Sequence, residues 1–272
     1  MGEVKLNPDA AFPVASIDKK SEKEARALPS REIRFSFAEV VKKVSGAVVN
    51  VYASKKIKAS SPQQELLREF FGDAFSTLPL PPRVQQSLGS GVILREDGLV
   101  VTNNHVIDGA NKIRIVTEDE TEYDATVIVR DPRVDLAILK ISGKNLPFIN
   151  LVSMKDLQVG DLVCAVGNPF GLGQTVTMGC ISALARDGFL SNDPRVFIQT
   201  DAAINRGNSG GALVTTDAKL AGINAFIFSK SGGSIGLSFA IPSDFLLSLL
   251  QAADNDGHVK RPWIGASYHS TS

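Results

Sequence analysis

Residues 89–106 read GSGVILREDGLVVTNNHV. Two apolar, β-branched runs, 89–95 and 99–103, flank Asp97-Gly98, a pair suited to the left-handed backbone of a tight hairpin. The expectation is two antiparallel strands joined by a two-residue turn, with His105 just past the end of the second. Outward from this hairpin, similar runs recur at 47–53, 112–117, 123–130, 136–141, 161–166, 175–184, 196–200, 211–214, 220–228 and 237–240. Many short strands at close spacing, with turn residues between them, predict an all-β chain built as barrels or sandwiches.

Helices are few. Ser36 followed by Glu39 is a capping-box pattern and predicts a short helix ending near Val44. Pro242-Ser243-Asp244 opens an apolar helix over 245–253 that stops before Gly257. Residues 1–34 are polar and proline-containing and read as a flexible arm. Residues 55–86 interrupt the strands with a helix-like stretch at 65–71 and prolines at 79, 81 and 82, an insertion expected to form a surface loop.

With 43% hydrophobic residues the chain can bury a large core. Lys plus Arg (29) equals Asp plus Glu (29), so no basic field for nucleic acid or polybasic membrane anchor is present. No apolar run reaches membrane-spanning length, and no signal peptide is visible after Met1-Gly2. The two cysteines, Cys164 and Cys180, lie in strand-like runs and read as buried thiols, with a single disulfide as the alternative; their number excludes a cysteine-built zinc site.

The chemistry starts at Ser209, in Gly207-Asn208-Ser209-Gly210-Gly211. A serine hydroxyl attacks only when a base takes its proton and backbone N–H groups face the developing oxyanion, and flanking glycines permit the turn that aims them. Taken alone, the stretch is equally a glycine-rich turn. Histidine is scarce: of three, His258 and His269 lie in the polar C-terminal tail, leaving His105 as the base the folded body can offer. The acid that orients a base must be held against the imidazole. Asp135, leading into the apolar run 136–139, fits best. Asp131, beside Pro132, reads as turn chemistry, and Asp201 is a weaker rival.

Together, Thr102-Asn103-Asn104-His105-Val106, Asp135-Leu136-Ala137 and Gly207-Asn208-Ser209-Gly210-Gly211 resemble the HtrA/Deg family of serine proteases. The chain order His, Asp, Ser is that of chymotrypsin-type enzymes. Residues 167–177, 199–205 and 236–242 add matching motifs, and the likeness runs from about Phe37 to Trp263. The resemblance implies a chymotrypsin-like double β-barrel with short flanking helices. The protease domain would span 35–257, with barrels at about 45–142 and 147–241, a helix at 243–253, and residues 258–272 leading toward a PDZ region at Trp263-Ile264-Gly265. It implies ATP-independent cleavage of unfolded polypeptides at the bacterial envelope or in the periplasm. It implies assembly as homotrimers or multiples of them through contacts near the protease N-terminus, for which Phe35, Phe37 and Tyr52 are candidate aromatics, with ordinary core packing as their equal alternative. The expected oxyanion hole is the backbone N–H groups of Gly207, Asn208 and Ser209; the expected substrate pocket is Ile204, Asn224 and Ala225; no metal or organic cofactor is needed. One departure is Arg206, where the family usually has proline, which loosens the backbone before the oxyanion loop. A catalytically latent, chaperone-like binder on the same fold and an esterase using the same nucleophile are the competing readings.

Overall fold

The computed structural model describes residues 36–57, 83–168, 174–187, 196–205, 207–227, 234–255 and 257–259. The chain divides at Ser36/Phe37, and both barrels lie in the unit Phe37–Ser272. The arm 1–34, the helix-like stretch 65–71, the 79–82 prolines, Phe35, Arg206, His269 and the PDZ-like 263–265 fall outside the described residues.

Twelve strands are described, each where a run of β-branched residues predicts one. They are β1 (Val48–Ile57), β2 (Arg83–Arg95), β3 (Leu99–Asn103), β4 (Lys112–Val116), β5 (Glu122–Asp131) and β6 (Leu136–Lys140). Then follow β7 (Leu162–Gly167), β8 (Thr175–Asp187), β9 (Val196–Thr200), β10 (Ala212–Thr215), β11 (Leu220–Ile227) and β12 (Ser238–Pro242). The first six close into a barrel of order β1-β2-β3-β6-β5-β4. The second six close as β10-β11-β12-β9-β8-β7, the same connectivity repeated. Closure removes the unpaired edges that a half-buried sheet would otherwise expose.

Three expectations are corrected. The hairpin at Asp97-Gly98 has three residues, not two: Arg95 pairs with Leu99, and the Gly98 N–H bonds to Arg95 O at 3.0 Å with Gly98 at φ +92. A register shift between Ile93 and Arg95 takes up the extra residue. The insertion is shorter than 55–86, because β1 and β2 stay paired out to Ile57 and Arg83. The first helix, α1 (Ala38–Val44), has Phe37 rather than Ser36 at its N-cap, so it begins one residue later than expected. Phe37 packs against the core.

The interior of the second barrel is a cluster of Leu157, Val163, Ile181, Ile198, Leu213 and their neighbours. A larger cluster joins the first barrel's residues to the outward face of β7 and β10 through Cys164, Val166, Ala212 and Val214, so the barrels are cemented along that face. Phe197, Phe226 and Phe239 belong to the same cluster, with ring centroids 5.1–6.2 Å apart. Helix α2 (Asp244–Asp254) follows the second barrel and buries Leu246, Leu249 and Ala252. Asp244 accepts from the Ser153 hydroxyl at 2.8 Å and the Met154 N–H at 2.7 Å. Those bonds fix the first turn of α2 to the connection between the barrels, and they place the carboxylate at the helix end whose dipole favours it.

Both cysteines are free thiols. Burial pushes the Cys164 thiol up to about 11, whereas Cys180 is only half-buried. The expectation of two buried thiols therefore holds for the first alone. No described helix is long and apolar enough to cross a membrane.

Candidate active site

Strands β3 and β6 are neighbours, pairing Asn103 with Leu136. That register places the 3₁₀ turn Asn104–Val106, which follows β3, beside the turn that precedes β6. Asp135 closes this second turn in the left-handed region at φ +58. Such a conformation costs about 1–2 kcal/mol for a residue with a side chain. The strain is offset by four hydrogen bonds. The Asp135 carbonyl accepts from the Asn104 N–H at 3.0 Å and the Asn103 amide at 3.1 Å. Its carboxylate accepts from the His105 N–H at 2.9 Å and lies 2.7 Å from His105 Nδ1. An ionised carboxylate only accepts, so Nδ1 carries the proton and Nε2 is left as the basic nitrogen. The Asp135 side chain is 14% exposed and that of His105 50%, so the acid is sheltered and the base is open.

The rivals have other work. Asp131 is buried and accepts from the Arg133 N–H at 3.1 Å, the turn role its proline neighbour indicated. Asp201 accepts from the Cys180 N–H at 2.7 Å on the second barrel. His258 is exposed beyond α2.

Ser209 sits in a loop whose peptide groups are nearly all engaged. The Asn208 N–H is donated to Asn205 O at 3.0 Å, with Gly207 at φ +99 between them. The Gly210 N–H goes to Asn224 O at 2.8 Å, and the Gly211 N–H to Asn208 O at 2.9 Å. The N–H groups of Gly207 and Ser209 have no acceptor among the described residues. Of the three expected oxyanion donors, Asn208 therefore has its N–H engaged in closing the turn, while those of Gly207 and Ser209 stay available among the described residues.

The Ser209 hydroxyl is donated to Ala225 O at 3.1 Å, and among the described residues no hydrogen bond joins it to His105. Ala225 is the extra residue where β11 shifts register between Asn224 and Phe226, which frees its carbonyl from the ladder. The two halves of the site nevertheless converge. A side chain at Gly89 would meet Val106, the neighbour of His105, at 2.8 Å and Ser209 O at 3.1 Å.

The three expected pocket residues are all buried in the second barrel. Ile204 is 1% exposed and packed into the second barrel's interior. Asn224 is fully buried, and its amide donates to Ala212 O at 3.1 Å, bracing β11 against β10. Of the three, Ala225 alone presents an atom to Ser209. A groove of about 740 Å³ lined by Asn50, Tyr52, Arg114, Asn168 and Gln174 contains none of His105, Asp135 or Ser209, so the site is defined by side-chain geometry rather than by that hollow. No group of three or more metal-ligating side chains occurs among the described residues.

Two barrels of identical connectivity, with a His-Asp pair on the first and a glycine-flanked serine on the second, define the trypsin-like peptidase class. Residues 89–223 match the family model for a trypsin-like peptidase domain. The chain is 44% identical over 245 residues to a probable periplasmic serine endoprotease DegP-like of Marinomonas sp. (strain MWYL1), covering 84% of this chain and 52% of the relative. It is 43% identical to the protein of the same name from Pseudomonas putida (strain GB-1), covering 84% and 51%. The chain thus spans about half the length of the curated relatives it matches. A solved structure of the HtrA-type protease AlgW with a decapeptide superposes with a TM-score of 0.73 at 44% identity, covering 87% of this chain and 73% of that one. The chain belongs to the HtrA family of serine proteases.

Proposed function

We propose that this chain is an endopeptidase that cleaves unfolded polypeptides through Ser209, without ATP, metal or organic cofactor, in envelope protein quality control. The observation that carries the reading is the His105–Asp135 clasp, 2.7 Å at Nδ1 and 2.9 Å at the backbone, on the barrel facing a serine beside two N–H groups that have no acceptor among the described residues. His105 Nε2 takes the Ser209 proton as Oγ attacks the peptide carbonyl. The Gly207 and Ser209 N–H groups hold the oxyanion, each worth roughly 3 kcal/mol. His105 then protonates the leaving amine, and water, activated by the same nitrogen, releases the acyl group.

For that to begin, the hydroxyl must leave Ala225 O and turn toward His105. This parked position supports a second reading, in which the chain is latent until a polypeptide occupies the cleft, binding before it cuts. The names of the relatives support a periplasmic or envelope setting, and the decapeptide held by AlgW supports a peptide as the occupant. Assembly as a trimer belongs to the same proposal; of its named aromatics, Tyr52 is exposed while Phe37 packs on the core.

The test is labelling by a fluorophosphonate with and without an unfolded protein. Labelling that disappears in Ser209→Ala supports the peptidase. Labelling that rises with unfolded protein supports latency, and binding of unfolded protein with no labelling at all rejects the enzyme in favour of a binder. Turnover of esters but not peptides by the purified chain would make it an esterase.

A further inference from the structure

Ser90 lies on β2, in the first barrel, and is completely buried. Four hydrogen bonds meet on it. Its hydroxyl donates to Gly207 O at 2.6 Å and accepts from the Asn168 N–H at 2.9 Å. Its N–H donates to Ser209 O at 2.8 Å, and its carbonyl accepts from the Thr102 hydroxyl at 2.7 Å. Thr102 is on β3, three residues before His105; Gly207 and Ser209, in the second barrel's loop, have N–H groups with no acceptor among the described residues.

The Gly207 and Ser209 N–H groups belong to the peptides 206–207 and 208–209. Whether they face the cleft depends on the planes of the peptides on either side, because adjoining peptide planes share a Cα and rotate against each other. Peptide 207–208 is held at its N–H by Asn205 O and at its carbonyl by the Ser90 hydroxyl. Peptide 209–210 is held at its N–H by Asn224 O and at its carbonyl by the Ser90 N–H. One end of each restraint comes from the second barrel; the other end, in both cases, is Ser90. The backbone bond survives any substitution except proline, but the side-chain bond does not.

We propose that Ser90 is a positioning residue for the oxyanion hole: its hydroxyl holds the Gly207 carbonyl, keeps the Gly207 N–H turned into the cleft, and registers the nucleophile loop on the strand next to the one leading to His105. The proposal rests on the reading of Ser209 as nucleophile. Ser90 touches no substrate; it acts through Gly207. Removing its hydroxyl frees one restraint on a donor rather than deleting the donor, so the loss should fall below the roughly 10²–10³-fold of a deleted oxyanion donor.

The experiment compares Ser90→Ala and Ser90→Cys with the parent chain in cleavage of a peptide substrate. Cysteine fills the same site with a much weaker donor and serves if the alanine variant does not fold. The expected result is a fall in kcat of about 10- to 100-fold with KM within about twofold. A peptidyl aldehyde, which forms the tetrahedral oxyanion on Ser209, should weaken by the same factor as kcat, while a non-reactive peptide of the same sequence keeps its affinity. The pH profile should keep its shape, since the His105–Asp135 pair is untouched. Unchanged kcat in a folded variant, or a rise in KM alone, overturns the role of Ser90. Ser209→Ala is the control: if it still cleaves, the nucleophile reading fails first; if it is inactive while both Ser90 variants match the parent, only the positioning role falls.

Discussion

The two barrels share one connectivity but deliver their functional groups differently. In the first, acid and base come from turns at the ends of two hydrogen-bonded strands, β3 and β6, so strand register alone brings His105 and Asp135 to 2.7 Å. In the second, Ser209, the proposed nucleophile, sits on a loop whose amides are set by a bulge in β11, by Asn205, and by a residue from the other barrel. The first half-site is finished by local pairing, while the second needs the interface between barrels. The hydroxyl of Ser209, parked on Ala225 O, is the visible sign of that difference.

Substitutions at the two half-sites should therefore cost unequal amounts. Ser209→Ala should remove turnover by a factor on the order of 10⁶ where chemistry limits the rate, because it deletes the proposed nucleophile. Asp135→Asn should cost less, about 10⁴-fold, by allowing the wrong His105 tautomer. Single-turnover rates on an unfolded substrate check both, and equal losses would break the distinction between nucleophile and orienting acid. The rate should also fall as His105 becomes protonated, because an imidazolium cannot accept the serine proton. A rate that does not fall with acid at any pH where the chain stays folded, with chemistry limiting, would remove His105 from the role of base.

Stability should carry the interface's signature. Gly210 has φ +85, and a side chain there would be driven into Ser90 O and the Thr102 hydroxyl. Gly210→Ala adds overpacking to a left-handed backbone and should cost about 3 kcal/mol. Denaturant melts should show that loss, and an alanine variant as stable as the parent would mean the loop is not wedged between the barrels.

How much of this was legible depended on whether the signal was local. The strands were, because alternation and β-branching along each run report its buried face. The outer ends of β1 and β2 were not: Lys55, Gln86 and Ser87 are exposed, so no apolar alternation marks that ribbon as paired. His105, Asp135 and Ser209 were legible through histidine scarcity, an acid opening an apolar strand, and glycines about a serine. The strained φ of Asp135 left no mark, since aspartate in a turn looks the same in either conformation. Nothing in the sequence shows that the Asn224 amide is committed to Ala212 O, because the bond joins neighbouring strands 12 residues apart. Ser90 went unnoticed because its partner lies 117 residues away, and a serine between two glycines in a strand reads as filler.

The smallest effect tests whether the barrels are joined at one place or two. Arg95, at the end of β2, bonds Asp97 at 2.8 Å and Asp254, in the last turn of α2, at 2.5 Å, while Lys140 lies 3.0 Å from Asp97. The cluster fastens the helix that follows the second barrel to the first barrel, at the opposite end of β2 hairpin pairing from the nucleophile loop. The hydrogen bond from Arg95, with a further contribution from Lys140, holds the Asp97 carboxyl down at about 2. A carboxylate lowered by folding stabilises the native state above its unfolded value near 3.8, and that stabilisation fades as the pH falls through about 2. The Asp97 side chain is 48% exposed, so solvent screens the pair. Asp97→Asn should therefore cost less than about 1 kcal/mol at neutral pH. The difference from the parent should shrink in melts taken between pH 3.8 and about 2. Turnover should not change, because this latch bears on α2 and not on the peptides flanking Ser209. A loss of kcat in Asp97→Asn with stability intact would show that the helix, too, sets the alignment of nucleophile and base, and the dependence of the second half-site on its interface would then extend beyond Ser90.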